Sequence, residues 1–380
     1  MDSDKKLNKI SDILDGLPRL KVFDTELTTH EEKFPFKGEF PVVDKNTYLG
    51  IEVEVENVQT FQNISPYWRI IEDGSLRNNG REFITPPIRA WRVEQALTTL
   101  FEQQINKDVD FSERTSIHIH MNIRTLTVAQ LEALVITYLL FERSMFNFVE
   151  KRRYNSVFCV PICETQMGKY LDRLILNGNP IFSWQKYTAL NLLPITEKGT
   201  IEFRHMQGTK DIKKLMTWIN LILCLKKFAL RNDPEYIWHR VTTLNTTSEY
   251  RMFGEEVFGT LIEEIYTNNF NNEVEKCSIY IKNQCLTNFF KEGIKSTIHE
   301  KSPLFKYKFP QYMAGRSPRA TLWGLQIEET GQSPAINWDD LEEDTIVTTQ
   351  TGTLWQQVPN TNRTENNLVQ NLLNRPTINF

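Results

Sequence analysis

The sequence predicts an α+β fold. Three segments, residues 48–56, 114–123 and 200–206, alternate apolar and polar side chains with the two-residue period of a strand. Long stretches of helical periodicity, above all 127–149 and 211–230, separate and follow them. Asp73-Gly74 and Lys198-Gly199 mark tight returns that join neighbouring strands as hairpins.

Taken in order, residues 4–17 carry Leu7, Ile10, Ile13 and Leu14 at helical spacing and read as a small docking helix. Residues 18–46 are charged, hold Pro35 and Pro41, and read as an extended lead-in. Strand 48–56 comes next, then the returns around Asp73-Gly74, stopped by Pro86-Pro87. A helix over 91–105 covers one face of the sheet. Helix 127–149 opens on Thr127 as N-cap, with Gln130 completing a capping box. Residues 156–180 are irregular apart from a short helix near 166–176. A strand over 187–194, ended by Pro194, forms a hairpin with 200–206. Residues 231–300 read as helical. From Lys301 onward, Ser-Pro steps, the acidic run 339–344 and a terminus rich in Asn, Thr and Gln read as an extended tail. The expected organisation is therefore 1–47 as N-terminal helix and lead-in, 48–300 as the catalytic domain with its C-terminal helices, and 301–380 as a tail or interaction segment.

A net charge of -4 supplies no basic field for nucleic acid. No apolar run reaches the roughly 18–20 residues of a membrane span. The first six residues lack the apolar core of a signal peptide. Five cysteines without CxxC spacing predict reduced thiols and a cytoplasmic location.

The polar faces carry the chemistry. Glu52, Glu54 and Glu56 lie opposite Ile51, Val53 and Val55. Carboxylates ~7 Å apart along a strand face repel unless water or a cation intervenes. Such a row is either the wet side of an amphipathic strand or a set of hard oxygen ligands for magnesium or manganese. Gly50, just before it, allows close backbone approach. After the turn, Glu82 and Ile84 face away from Phe83, which makes Glu82 a further candidate acid or a surface partner of Arg81 or Arg77. Ser116, His118, His120 and Asn122 lie opposite Ile117, Ile119, Met121 and Ile123. Two imidazoles on one strand face can ligate a metal or a phosphate, and the neighbouring acids suit magnesium or manganese better than zinc. In 200–206, Ile201, Phe203 and Gln207 point one way, and Glu202, Arg204 and Met206 the other. Alone, Glu202 and Arg204 would be a surface ion pair; beside the other acids, they can hold a cation and a phosphate. Arg152 and Arg153 either complement a helix C-terminus or clamp a phosphate or carboxylate. Asn191 stands near the site or bonds a turn.

The ordered set resembles the amidoligase branch of the carboxylate–amine ligase superfamily, which has a glutamine synthetase-like fold. The matching pieces are Gly50-Ile51-Glu52-Val53-Glu54, Asp73-Gly74-Ser75-Leu76 with Gly80 to Pro87, Ser116-Ile117-His118-Ile119-His120, Tyr187 and Asn191, and Gly199-Thr200-Ile201-Glu202-Phe203-Arg204. They span about 48–230. Where that family has glycine beside the His-x-His segment, Thr115-Ser116 stands here.

The resemblance implies a curved antiparallel sheet, covered by helices on its outer face, with ATP and divalent cations (Mg2+ or Mn2+) on its concave face. It implies an ATP-dependent ligase that activates a carboxylate as an acyl phosphate and passes it to an amine. The substrates would be small-molecule or peptide carboxylates and amines. By the same resemblance Glu52, Glu54, His118 and Glu202 would ligate metal, and Glu82 would be a metal or amine-site acid. His120 would contact nucleotide phosphate, Arg204 would face the transferred phosphoryl group, and Arg152 or Arg153 would bind phosphate or carboxylate. Glu56 would be the spare acid. Two other readings compete: an inactive protein of this fold, acting through tail-mediated partner binding or self-association, and a metal-dependent phosphatase or nuclease using the same acids.

Overall fold

Alternation along three strands builds one sheet with an apolar and a polar face. The structure is a computed structural model. It describes residues 9–14, 17, 20, 27–31, 36–62, 65–105, 107–173, 175–176, 179–180 and 184–285, with two short strands further on. The large sheet contains β1 (Tyr48–Val55), β2 (Arg69–Ile71), β3 (Arg81–Ile84), β4 (Ile88–Arg89), β5 (Ser116–Asn122), β8 (Leu190–Asn191) and β9 (Thr200–Gln207). Its spatial order is β2-β3-β1-β5-β9-β8, with β4 beside one end of β1, and every pairing is antiparallel. β6 (Ile175–Leu176) and β7 (Asn179–Pro180) form a separate two-stranded hairpin. The fold is α+β.

Ile51, Val53, Val55, Phe83, Ile117, Ile119, Met121, Ile201 and Phe203 are buried on the apolar face. The Val128–Met145 and Ile212–Arg231 helices cover it. Tyr138 meets Phe203 edge-on at 5.9 Å, and Trp218 packs on His205 at 5.1 Å. The first helix starts on the expected capping box: Thr127 accepts from the Gln130 amide, and Gln130 accepts from the Thr127 amide. Asp211 caps the second by accepting from the Lys214 amide.

Within the described residues the other helical expectations hold with shifted bounds, apart from strand at Ile175–Leu176; residues 286–300 of the expected helical region lie outside the described residues. Val93–Thr98 continues as a wider turn over Thr99–Gln104. Residues 167–173 form a 3-10 helix. Pro234–Thr243, Thr247–Phe258 and Phe270–Tyr280 complete the helical region. Of the N-terminal helix, Ile10–Ile13 is described. The expected strand over 187–194 is only Leu190–Asn191, and a helical turn, Ile195–Lys198, fills the return to β9. Gly199 closes that turn at φ 65, a left-handed conformation that glycine adopts without strain. The lead-in, expected to be extended, turns helical over 27–31 and is tied down further on by side chains: Glu94 accepts from the amides of Glu39 and Phe40, and Asn220 bonds Val43 and Pro41. The proposed tail lies outside the described residues, apart from the paired strands Ile346–Thr348 and Leu354–Gln356.

One facing assignment is corrected. Opposite β5, Ile119 pairs with Phe203 but Ile117 pairs with Met206, so β9 carries an extra residue between them. This bulge sets both Arg204 and His205 against His118 and reverses the facing beyond it. Met206 joins the apolar face, where it is fully buried. Gln207, expected there, instead pairs with Ser116 on the polar side. Arg204 stays on the polar face, and His205 turns into the core.

Candidate active site on the polar face

Strand register alone assembles the site. Glu54 sits opposite Glu82 across β1 and β3, and Glu52 opposite His118 across β1 and β5. His120 sits opposite Glu202 across β5 and β9, and Asn191 opposite Glu202 across β8 and β9. Directly opposed side chains on one face are ~5 Å apart, so residues as far apart in the chain as His120 and Glu202 become neighbours. Gly50 faces His120 across β1 and β5.

The geometry centres on His118. The Ser116 hydroxyl donates to Glu54 at 2.6 Å, and the Ser116 amide donates to the same oxygen at 2.8 Å. That hydroxyl also lies 2.8 Å from His118 Nε2. Its one proton is spent on Glu54, so it accepts from His118 Nε2–H. In the neutral imidazole this leaves Nδ1 as a lone pair. Nδ1 stands 3.4 Å from Glu52 Oε2 and 3.3 Å from Glu202 Oε1. A ring nitrogen between two carboxylates is held either by its own proton or by a shared cation. His120 repeats the motif: Nε2 lies 2.9 Å from Glu52 Oε1, and Nδ1 lies 3.1 Å from the Thr200 hydroxyl.

Glu202 is held on both oxygens. Asn191 donates to Oε2 at 2.7 Å, and Arg204 and His118 face Oε1. Arg204 also donates Nε to the Phe158 carbonyl and lies 5.8 Å over the Tyr187 ring. Burial raises the Glu202 carboxyl, but the Arg204 guanidinium and then the two histidines outweigh it and hold it low. Burial likewise opposes the His120 and His118 contacts at Glu52, and the contacts win, holding Glu52 well below the usual carboxylate range. Glu82 goes the other way. Burial, then the charges of Glu52, Glu54 and Asp73, push it up to about 8.

Two ligand groups result. Glu52, His120 and Glu202 bring one donor atom each within 4.8 Å of one another, and so do Glu52, Glu82 and His118. Glu52 belongs to both. Oxygen-rich sets with an imidazole suit a hard divalent cation. Glu54 belongs to neither group; Ser116 takes it up.

The remaining candidates fall elsewhere. Arg152 is paired with Glu150 at the surface. Arg153 is buried and donates Nε to the His205 carbonyl at 3.0 Å and a guanidinium N–H to the Arg204 carbonyl at 2.7 Å. It holds the backbone of the bulge on which Arg204 stands. Glu56 accepts from the Arg77 amide at 2.7 Å, which anchors the 72–80 loop. Sequence reasoning placed Ser116 on the correct face but assigned it no task, and it passed over Thr200, Lys198 and the Phe158 carbonyl. The alternation of residues 116–122 was the available signal for Ser116; nothing local marks a backbone carbonyl 46 residues from its partner.

An antiparallel sheet carrying carboxylates, paired histidines and an arginine on one buried polar face offers groups that could hold a metal ion. The chain belongs to the amidoligase family: the family model described as "Putative amidoligase enzyme" matches residues 24–226. That span takes in β1 through β9 and most of the covering helices, and it begins inside the lead-in rather than at β1. Membership supports a ligase-type function. None of the curated proteins matches this chain. Among the described residues, no helix is long and apolar enough to cross a membrane.

Proposed function

We propose that the protein is an ATP-dependent carboxylate–amine ligase that forms an amide through an acyl phosphate, on a glutamine synthetase-like sheet. The observation that carries this reading is His118 Nδ1, set 3.4 Å from a Glu52 oxygen and 3.3 Å from a Glu202 oxygen, with Arg204 beside them. Glu52, His120 and Glu202 would hold one Mg2+ or Mn2+, and Glu52, Glu82 and His118 a second. Such ions neutralise phosphate oxygens and supply the charge compensation that phosphoryl transfer needs.

The chain's own residues do the rest. Ser116 and Thr200 orient the two imidazoles, so that each presents its free nitrogen to the site. Asn191 keeps Glu202 from rotating. Arg204, fixed by Glu202 and the Phe158 carbonyl, stabilises negative charge on the transferred phosphoryl group. Its own burial disfavours the charged form, but Glu202 and Glu54 outweigh that and keep it charged. Glu82, when ionised and not engaged by the second cation, would accept a proton from the incoming ammonium group, whose nitrogen must be neutral to attack. ATP, a carboxylate and an amine are the partners this scheme requires.

The test is a screen of the purified full chain with ATP, Mg2+ and a panel of amino acids, short peptides and amines, read as ADP release. A pair that gives magnesium-dependent ADP together with an amide product supports the reading. No ADP from any pair, with no heat of Mg-ADP binding by calorimetry, would overturn it in favour of a non-catalytic role.

A further inference from the structure

Lys198 reaches the site from the return between β8 and β9. Its backbone is clamped on both sides. Its carbonyl accepts from the Arg124 guanidinium at 2.7 Å, and the neighbouring Gly199 carbonyl accepts from the Ile123 amide at 3.0 Å. Gly199 has φ 65, and a Cβ there would come within 2.6 Å of the Arg124 side chain, so the turn is tightly specified. The root of Lys198 is therefore fixed while its side chain is 54% exposed. From that root the ammonium stands 3.5 Å from Glu52 Oε1, the oxygen that also faces His120.

Glu52 is the carboxylate shared by both ligand groups. An ammonium and a divalent cation cannot share its oxygen closely, because like charges a few ångströms apart repel strongly. A long, exposed lysine is the partner that yields, since its ion pair is weak and its tether flexible. Released at the rim from a fixed root, the ammonium meets whatever anion the cation has brought, and a strongly hydrated point charge suits a phosphate oxygen.

We propose that Lys198 is a displaceable counter-ion: it competes with a divalent cation for Glu52 and, once displaced, holds a phosphate of the bound nucleotide. This rests on the metal–nucleotide reading above. It assigns a phosphate contact to the turn before β9, and couples that contact to cation entry.

The experiment titrates the chelator-treated full chain with Mn2+ alone, and separately with ADP at saturating Mg2+, for wild type, Lys198→Met and Lys198→Arg. Lys198→Met should bind Mn2+ about two- to five-fold tighter and Mg-ADP about two- to five-fold weaker, the size expected for a partly exposed ion pair. Lys198→Arg should return both affinities toward wild type. Urea unfolding of each variant should match wild type, because the side chain is exposed. If wild type binds Mn2+ and Mg-ADP but Lys198→Met changes neither, or shifts both the same way, the counter-ion role fails while the site reading stands. If wild type binds neither probe, both fail.

Discussion

The two faces of β1, β5 and β9 bury polar atoms in opposite ways. On the helix-covered face, polar groups are few and most join one network, with His205 Nδ1 and Trp218 Nε1 left without a partner. Tyr138 donates to Glu142, and His205 bonds the Tyr138 oxygen at 2.9 Å, while Glu142 also accepts from the amides of Ile162 and Cys163. That network ties the 156–165 loop, and with it the Phe158 carbonyl, to the core. On the other face, Glu52, Glu54, Glu82 and Glu202 outnumber Arg204 and Lys198, and two imidazoles stand against carboxylates. One face holds the chain together. The other keeps its charges at a cost in stability, which is characteristic of a surface shaped for binding.

Substitutions on each face sharpen that contrast. Phe203→Ala, on the apolar face, removes a fully buried ring and should lower unfolding free energy by ~3–5 kcal/mol in urea titrations. Arg204→Ala, its chain neighbour on the polar face, should leave a folded chain but cut magnesium-dependent ADP formation by about 100- to 1,000-fold. Near wild-type turnover in that variant would break the proposed mechanism.

The faces also answer pH in opposite directions. Burial and then the Arg153 charge push His205 down to about 3 from its ordinary 6.5. The folded state thus resists a proton that the unfolded state takes up below 6.5. Stability should therefore fall as pH drops from 6.5 toward 3, by up to about 1.4 kcal/mol per unit; His205→Gln should flatten that slope. Glu82 has the reverse sign. Raised to about 8 from 4.5, it favours the folded state below pH 4.5, and that contribution is lost as pH rises to 8. In chelator-treated protein, Glu82→Gln should remove a loss of roughly 1 kcal/mol or more between pH 5 and 8. Added Mn2+ should erase the same loss in wild type, because a bound cation favours the ionised carboxylate. Urea unfolding across the pH range separates the two, and slopes of the same sign in both variants would show that the faces do not differ as described.

Much of this was legible beforehand, and for a local reason. A strand's side chains alternate regardless of its partners, so the facing of Glu52, Glu54, His118, His120 and Glu202 follows from residue order. Helix periodicity and the Thr127–Gln130 capping box were equally local. The failures at the candidate site are non-local, unlike the shortened strand at Leu190–Asn191 and the helical turn that follows it. Arg153 reads like a phosphate clamp until the structure shows its guanidinium on the Arg204 and His205 carbonyls. Met206 and Gln207 exchanged faces because β9 carries one residue more than β5 across from it, and nothing in residues 200–207 announces an insertion relative to another strand.

The sequence by itself determined that three strands would each carry a polar face, and which acids, imidazoles and arginine would stand there. Only the tertiary structure decided that these faces share one sheet and that the register sets Glu52 on His118 and His120 on Glu202. It also decided that Ser116 turns His118 toward the acids, and that Lys198 reaches the shared carboxylate. Alternation is set by bond geometry within a strand, whereas register is set by the packing of the apolar face beneath. A slip of one residue would carry Phe203 and Ile119 into the polar face, and the cost of exposing them holds the site in place.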